Sequence, residues 1–272
     1  MTKYTVVTTF NEKGYNHYGQ RMIETFVATW PQEIELWVYS EACEVITHAP
    51  NVRVFNQEQQ VPALQAFKTK WRDVPKANGD VMDDPIRSKR KDAGKGFKWD
   101  AIRFSHKVYS IFHAAKHTDA DWLLWMDADM VCHSPVEMSF INRMCPPEKD
   151  LCFLGRAGKY SECGLYAVNL KSKGGIKFLK RFQKYYDNAE EGIFTLAEWH
   201  DSYVFDAVRR LAKQTELDWS AGLIRGEGHP LINSEWGSYL DHLKGKRKDY
   251  GRSLKRDLKS NRNEAYWQQI QV

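Results

Sequence analysis

The sequence predicts an α/β protein with a mixed, mainly parallel central sheet flanked by helices. Three observations carry this. Short β-branched and aromatic runs alternate with segments of helical periodicity. One run, Trp122-Leu123-Leu124-Trp125-Met126, is apolar without a break, as a central parallel strand covered on both faces must be. The chain has 272 residues, 42% apolar and 13% aromatic, which suits one large α/β domain and excludes disorder over most of its length.

Taken in order, residues 4–10 (YTVVTTF) read as the first strand, closed by Asn11-Glu12-Lys13-Gly14. Tyr18, Met22 and Phe26 then recur at helical spacing. Residues 34–39 and 52–55 read as further short strands, so the opening should be parallel strands joined by crossovers. From 57 to 98 the pattern fails, because Pro62, Pro75, Pro85, Gly79, Gly94, Gly96 and dense charge interrupt it; a long loop with at most a short helix is expected. Phe97, Ala101, Phe104, Val108, Phe112 and Ala115 restore helical spacing, and the strand at 122–126 comes next. Beyond it come strand candidates at 151–154 and 164–168 and helices near 175–186 and 199–211.

The 40 basic against 35 acidic side chains give +5, a mild excess that does not demand nucleic acid. It is concentrated at Lys89, Arg90, Lys91, Lys95 and Lys98 and again from Lys244 to Lys259. The five cysteines, at 43, 132, 145, 152 and 163, are odd in number and form no C-x-x-C pair, which fits neither a zinc site nor a disulfide framework. Met1-Thr2-Lys3 runs straight into the first strand, and no apolar run nears the ~20 residues of a membrane span. A cytoplasmic protein is expected.

The strongest chemical signal is WLLWMDADMV, two carboxylates two residues apart just past a buried strand. Ligands of open α/β sheets bind at the carboxyl ends of strands. Paired carboxylates there suit a hard divalent ion, Mg²⁺ or Mn²⁺, that bridges to phosphate. Asp127 and Asp129 in this setting resemble the D-x-D motif of the GT-A fold glycosyltransferases. A second motif, His242-Leu243-Lys244-Gly245-Lys246-Arg247-Lys248, matches the H-x-x-G-x-x-K pattern of the glycogenin-like and bacterial galactosyltransferase-like family, although Asp249-Tyr250 stands where that family continues Pro-Trp.

The resemblance implies a single GT-A domain over 1–272, with a nucleotide-sugar-binding half at 1–135, an acceptor half at 136–240 and a basic C-terminal segment at 241–272. It implies transfer of a hexose-type sugar from a nucleoside diphosphate, a UDP-sugar by family habit, to an acceptor that is a glycan, a protein or a small molecule. Asp129 would ligate the metal and Asp127 the metal or the ribose. His242 would be the third ligand, an imidazole that favours Mn²⁺ over Mg²⁺. Gly245 would let the backbone approach the diphosphate and Lys248 would set a charge against it.

Thr8, Phe10, Asn11 and Tyr15 fall where the family cradles the nucleoside, with Tyr15 or Tyr18 as the ring on the base. Arg103 and Lys107 lie on the helix that carries a basic residue to the donor. The stretch from Glu162 to Asn169 resembles the family's glycine-bearing strand on the acceptor side. Asp201 falls on the Asp of an Asp-Gln pair, with Ser202 replacing the Gln; a general base would be Asp201 or Glu162. His229, in Gly228-His229-Pro230, is a rival metal ligand that reads rather as a packed or hydrogen-bonded loop histidine, and His200 is a candidate only. The basic loop at 57–98 is expected to be mobile until a diphosphate orders it, because its composition offers little apolar surface to offset ordering.

Two other readings stay open. A nucleotidyltransferase on a related fold would carry a glycine-rich loop and a Lys soon after the first strand, whereas Gly14 stands alone. A nucleic-acid-binding module would use the basic clusters with Trp71, Trp99 and Trp236 as stacking rings.

Overall fold

The structure is a computed structural model and describes residues 1–223 and 229–269. In chain order the main elements are β1 (Tyr4–Asn11), α1 (Gln20–Thr29), β2 (Glu35–Glu41), β3 (Val52–Asn56), α2 (Pro62–Trp71), α3 (Ala101–His117), β4 (Trp122–Met126), β5 (Met130–Cys132) and α4 (Met138–Met144). Then come β6 (Leu151–Leu154), β7 (Glu162–Asn169), α5 (Lys173–Asp187), α6 (Asp201–Ala212), β8 (Glu216–Asp218), β9 (Leu240–His242) and α7 (Arg247–Tyr250).

Seven strands form one sheet in the order β3-β2-β1-β4-β7-β6-β8. β1 runs parallel to β2 and β4, and β2 to β3, while β7 lies antiparallel to both β4 and β6. The expected mixed, mainly parallel sheet flanked by helices is what forms. β4 explains why its sequence has no polar alternation. Leu123 and Trp125 enter the core on one face with Trp37, Tyr39 and Phe112, while Trp122, Leu124 and Met126 enter the core on the other with Phe26 and Trp236. Each such side chain contributes about 1.5–3 kcal/mol by leaving water. β4 sits at the middle of the sheet, so its carboxyl end opens beside the neighbouring strands β1 and β7.

Helix starts are set by side-chain caps: Asp100 accepts from the Arg103 backbone N–H at 2.9 Å, and Ser172 Oγ from that of Gly175 at 3.0 Å.

The stretch at 57–98 carries more regular structure and more core than the long loop with at most a short helix that its composition suggested. It carries the ten-residue α2, whose Leu64, Phe67 and Trp71 are buried in the core cluster together with Val61, Ala77 and Val81. Three of its cations are committed: Arg87 pairs with Asp84 at 2.6 Å, and Arg90 and Lys98 reach Glu198 at 2.5 and 2.9 Å. Composition misleads here because a few large rings supply the apolar area that many small residues would otherwise need. Trp71, Trp99 and Trp236 are all buried, at 5%, 0% and 0% exposure, so they offer no stacking platform to a nucleic acid.

A small second sheet lies beside the carboxyl end of β4. β5, the continuation of the chain past the acid pair, pairs antiparallel with β9, so that Met130 lies opposite His242. The Leu243 N–H donates to the Asp129 carbonyl at 2.8 Å.

Candidate active site

That short ladder brings together residues far apart in sequence. Asp127 and Asp129 occupy the turn between β4 and β5, and His242 ends β9. His242 Nε2 lies 3.1 Å from Asp129 Oδ1 and 3.7 Å from Asp127 Oδ2. Potential ligand atoms of the three residues all fall within 4.8 Å of one another. Cis ligands of an octahedral ion with bonds of about 2.1 Å stand about 3 Å apart, so two carboxylates and an imidazole at this spacing fit a divalent cation. The orientation of His242 is set by packing. A Cβ on Gly164 would stand 2.5 Å from His242 Cε1, so the glycine of β7 makes room for the ring.

Charge is balanced locally. Lys248, in α7, places Nζ 3.0 Å from Asp129 Oδ2 and 4.7 Å from the Tyr18 ring centroid. Burial pushes the Asp129 carboxyl up, but His242 and Lys248 together outweigh it and hold the group well below the usual carboxylate range. Burial works against the charged form of His242 too, and Asp129 reverses it, leaving the imidazole raised. Asp127 accepts from Trp125 Nε1 at 2.6 Å and from Lys107 Nζ at 3.1 Å.

Lys107 is the buried hub of the site. Its Nζ also donates to Asp201 Oδ2 at 2.7 Å and to the Cys163 carbonyl at 2.6 Å, and it lies 4.7 Å from the Trp125 ring centroid. Burial opposes its charge, but Asp127 and Asp201 raise its pKa well above the ordinary lysine value. Asp201 opens α6. Burial would raise its carboxyl; Lys107 and His200 bring it below normal instead.

Glu162 is enclosed by charged neighbours. It is 2% exposed and lies 3.0 Å from Lys244, 3.6 Å from Arg156, 3.8 Å from His229 and 3.9 Å from His242. Burial pushes it up, yet His229, Lys244, His242 and Arg156 lower it. His229 is buried against His242, ring centroids 4.8 Å apart, and neither of its ring nitrogens has a hydrogen-bond partner among the described residues. Burial takes it down to about 3, so it is neutral. Lys244 and Arg156 were not legible as site neighbours, since Lys244 occupies an unspecified place inside the H-x-x-G-x-x-K run and no spacing links Arg156 to it, whereas His229, weighed from the sequence as a rival ligand, does lie beside His242.

The first-strand residues divide by face. Thr8 and Phe10 are buried at 0% and 3% exposure, with the Phe10 ring stacked on Tyr15 at 5.4 Å. Asn11 is exposed and caps the next turn by accepting from the Gly14 N–H at 2.8 Å. Arg103 is exposed on the first turn of α3. Gly245 adopts φ +65° with nothing near the Cβ it lacks, so backbone conformation requires glycine there.

No protein-family model matches the chain, and no curated protein does. Among solved structures it is similar to the glycosyltransferase GlyE of Streptococcus pneumoniae, at 10% identity and TM-score 0.43, over 80% of this chain and 45% of that one. It is similar to an active-site mutant of LgtC at 14% identity and TM-score 0.46, over 80% and 73% of the two chains. It is similar to mouse xyloside xylosyltransferase 1 at 10% identity and TM-score 0.47, over 80% and 85%. The chain thus spans under half the length of the GlyE structure. Among the described residues no helix is long and apolar enough to cross a membrane.

Proposed function

We propose that this protein transfers a sugar from a nucleoside-diphosphate sugar, a UDP-sugar on the motif resemblance, with a Mn²⁺ ion held by Asp127, Asp129 and His242. The single observation that carries the reading is the convergence of two strand-end carboxylates and a distant imidazole on one point, with Lys248 beside them. A divalent ion in that site supplies neutralisation of the departing diphosphate. Lys248 stands 3.0 Å from Asp129 and is a quarter exposed, so it can turn from the carboxylate to a phosphate oxygen. The exposed Arg103 adds a second cation from α3.

Lys107 has no free donor to offer a substrate; it fixes Asp127 and Asp201 relative to each other. Asp201, ionised and partly exposed, faces the reacting region as a fixed negative charge, suited to stabilising positive charge at the sugar's anomeric carbon. A carboxylate held low is a weak proton acceptor, and Glu162 is sealed behind Lys244 and Arg156, which argues against either as a strong base. All five cysteines are free thiols, in keeping with a reducing compartment.

The test is thermal stabilisation and turnover across a panel of nucleotide sugars with and without Mn²⁺. A donor at 100 times its Kd should add about 2.7 kcal/mol, and only with metal should the sugar be released. A panel in which nucleoside triphosphates alone stabilise and are cleaved overturns the reading in favour of nucleotidyl transfer.

A further inference from the structure

A cavity of about 780 Å³ lies between the β6–β7 connection, α6 and the stretch after β8, and its chemistry is lopsided. Among the described residues three acids line it, and each is consumed within the wall. Asp206 accepts from the Ser161 N–H at 2.9 Å, from Ser161 Oγ at 2.7 Å and from Arg209 at 3.0 Å. Asp218 accepts from the N–H groups of Gly155 and Ser220 at 2.8 and 2.9 Å, and Glu216 accepts from Arg209 at 2.6 Å.

The cations are not consumed in the same way. Arg209 is spent on Asp206 and Glu216. Lys159 and Arg210 line the cavity, and their side chains make no ion pair or hydrogen bond among the described residues. Arg156 donates to the Tyr160 carbonyl at 2.7 Å and lies 3.6 Å from Glu162, so it too is committed within the wall. The remaining wall includes Tyr160 and Tyr203, ring centroids 5.3 Å apart, which offer amphipathic surface of the kind that packs against a sugar ring.

Position ties the cavity to the metal-ligand cluster. It runs along α6 from the Asp201 end outward, and Arg156 in its wall is 3.6 Å from Glu162, itself 3.9 Å from His242. Resting on the sugar-transfer reading, we infer that this cavity binds the acceptor and that the acceptor is a saccharide bearing an anionic group, recognised by Lys159 and Arg210. Guanidinium and ammonium groups without protein partners gain most from a carboxylate or phosphate, whereas a neutral acceptor leaves them uncompensated.

The experiment is calorimetry on the full chain without donor or metal, using three probes: a uronic-acid disaccharide, glucose 6-phosphate and the neutral disaccharide cellobiose. At least one anionic probe should bind about tenfold or more tightly than cellobiose. That advantage should shrink with added salt and vanish in the double variant Lys159→Gln, Arg210→Gln. Whether the uronate or the phosphate wins identifies the anion. Equal binding of cellobiose, no binding of any probe, or a charge preference that survives in the double variant overturns the inference. Since neither donor nor metal is present, a failed sugar-transfer reading would leave this binding intact, and failed binding would leave donor cleavage to be judged separately.

Discussion

Two charged clusters meet at His242 and behave differently. On its Nε2 side stand Asp127 and Asp129, with side chains 31% and 11% exposed, and Lys248. On its Nδ1 side stands Glu162, 2% exposed, ringed by Lys244, Arg156 and His229. Burial lowers the pKa of both packed histidines, but only His242 has a carboxylate at hydrogen-bonding distance, and it alone is raised. The open cluster balances its acids with a cation that can swing away. In the sealed cluster the acid itself is enclosed, while its cations Lys244 and Arg156, 49% and 29% exposed, stand at the rim. On the proposed reading, chemistry belongs to the first and support to the second.

The largest expected effect comes from the hub beneath both. Lys107→Met strips the partner from Asp201, only 14% exposed, and should cost about 3–5 kcal/mol in denaturant unfolding; adding Asp201→Asn should recover part of it. A loss under about 1 kcal/mol would mean that the buried charges do not depend on each other. Next in size is the open cluster. Asp129→Asn should reduce Mn²⁺-dependent donor cleavage by about 10²–10³-fold while the thermal midpoint stays near that of the parent. Undiminished cleavage would detach the acid pair from catalysis.

The sealed cluster should respond more gently. Glu162→Gln should weaken Mn²⁺ binding by about tenfold by removing the negative charge that stands 3.9 Å from His242 Nδ1. A complete loss of turnover at saturating metal would instead make Glu162 a reacting group and erase the distinction between the two sides.

The smallest effect lies at the end of β2. Burial raises the Glu41 carboxyl to about 7 against an ordinary 4.5, more than the Thr9 hydrogen bond and Lys68 lower it, while burial takes the neighbouring His106 down to about 4. Although 3.4 Å apart, the two are therefore both neutral near pH 5 to 6. With its folded pKa above the unfolded one, Glu41 contributes stability that is complete below about pH 4.5 and lost as pH rises through about 7. Glu41→Gln should remove that slope, adding on the order of 1 kcal/mol, or about 2–4 °C in Tm, at pH 8 and little at pH 4.5. Equal shifts at both pH values would contradict this.

Legibility in the sequence depended on whether a signal was local. β4 was readable because five successive apolar residues need two covered faces. The acid pair was readable because it stops that strand. β5 and β9 were not, since three-residue strands have no period and their pairing partner lies more than a hundred positions away. His242 was reached only through a motif, without the ladder that places it. Burial is likewise invisible in sequence. Glu162 and Thr8 matched family positions, yet each is enclosed, and Phe67 and Trp71 anchor a segment whose prolines and charges suggested a loop.

The central claim is that one ion is held jointly by the β4–β5 acids and His242. Electron spin-echo modulation of Mn²⁺ bound to the full chain with UDP tests it most directly, because it reports nitrogen within bonding distance of the metal. The expected result is a single imidazole nitrogen coupling that disappears in His242→Ala. A spectrum without nitrogen coupling, or a coupling that persists in that variant, would contradict the account.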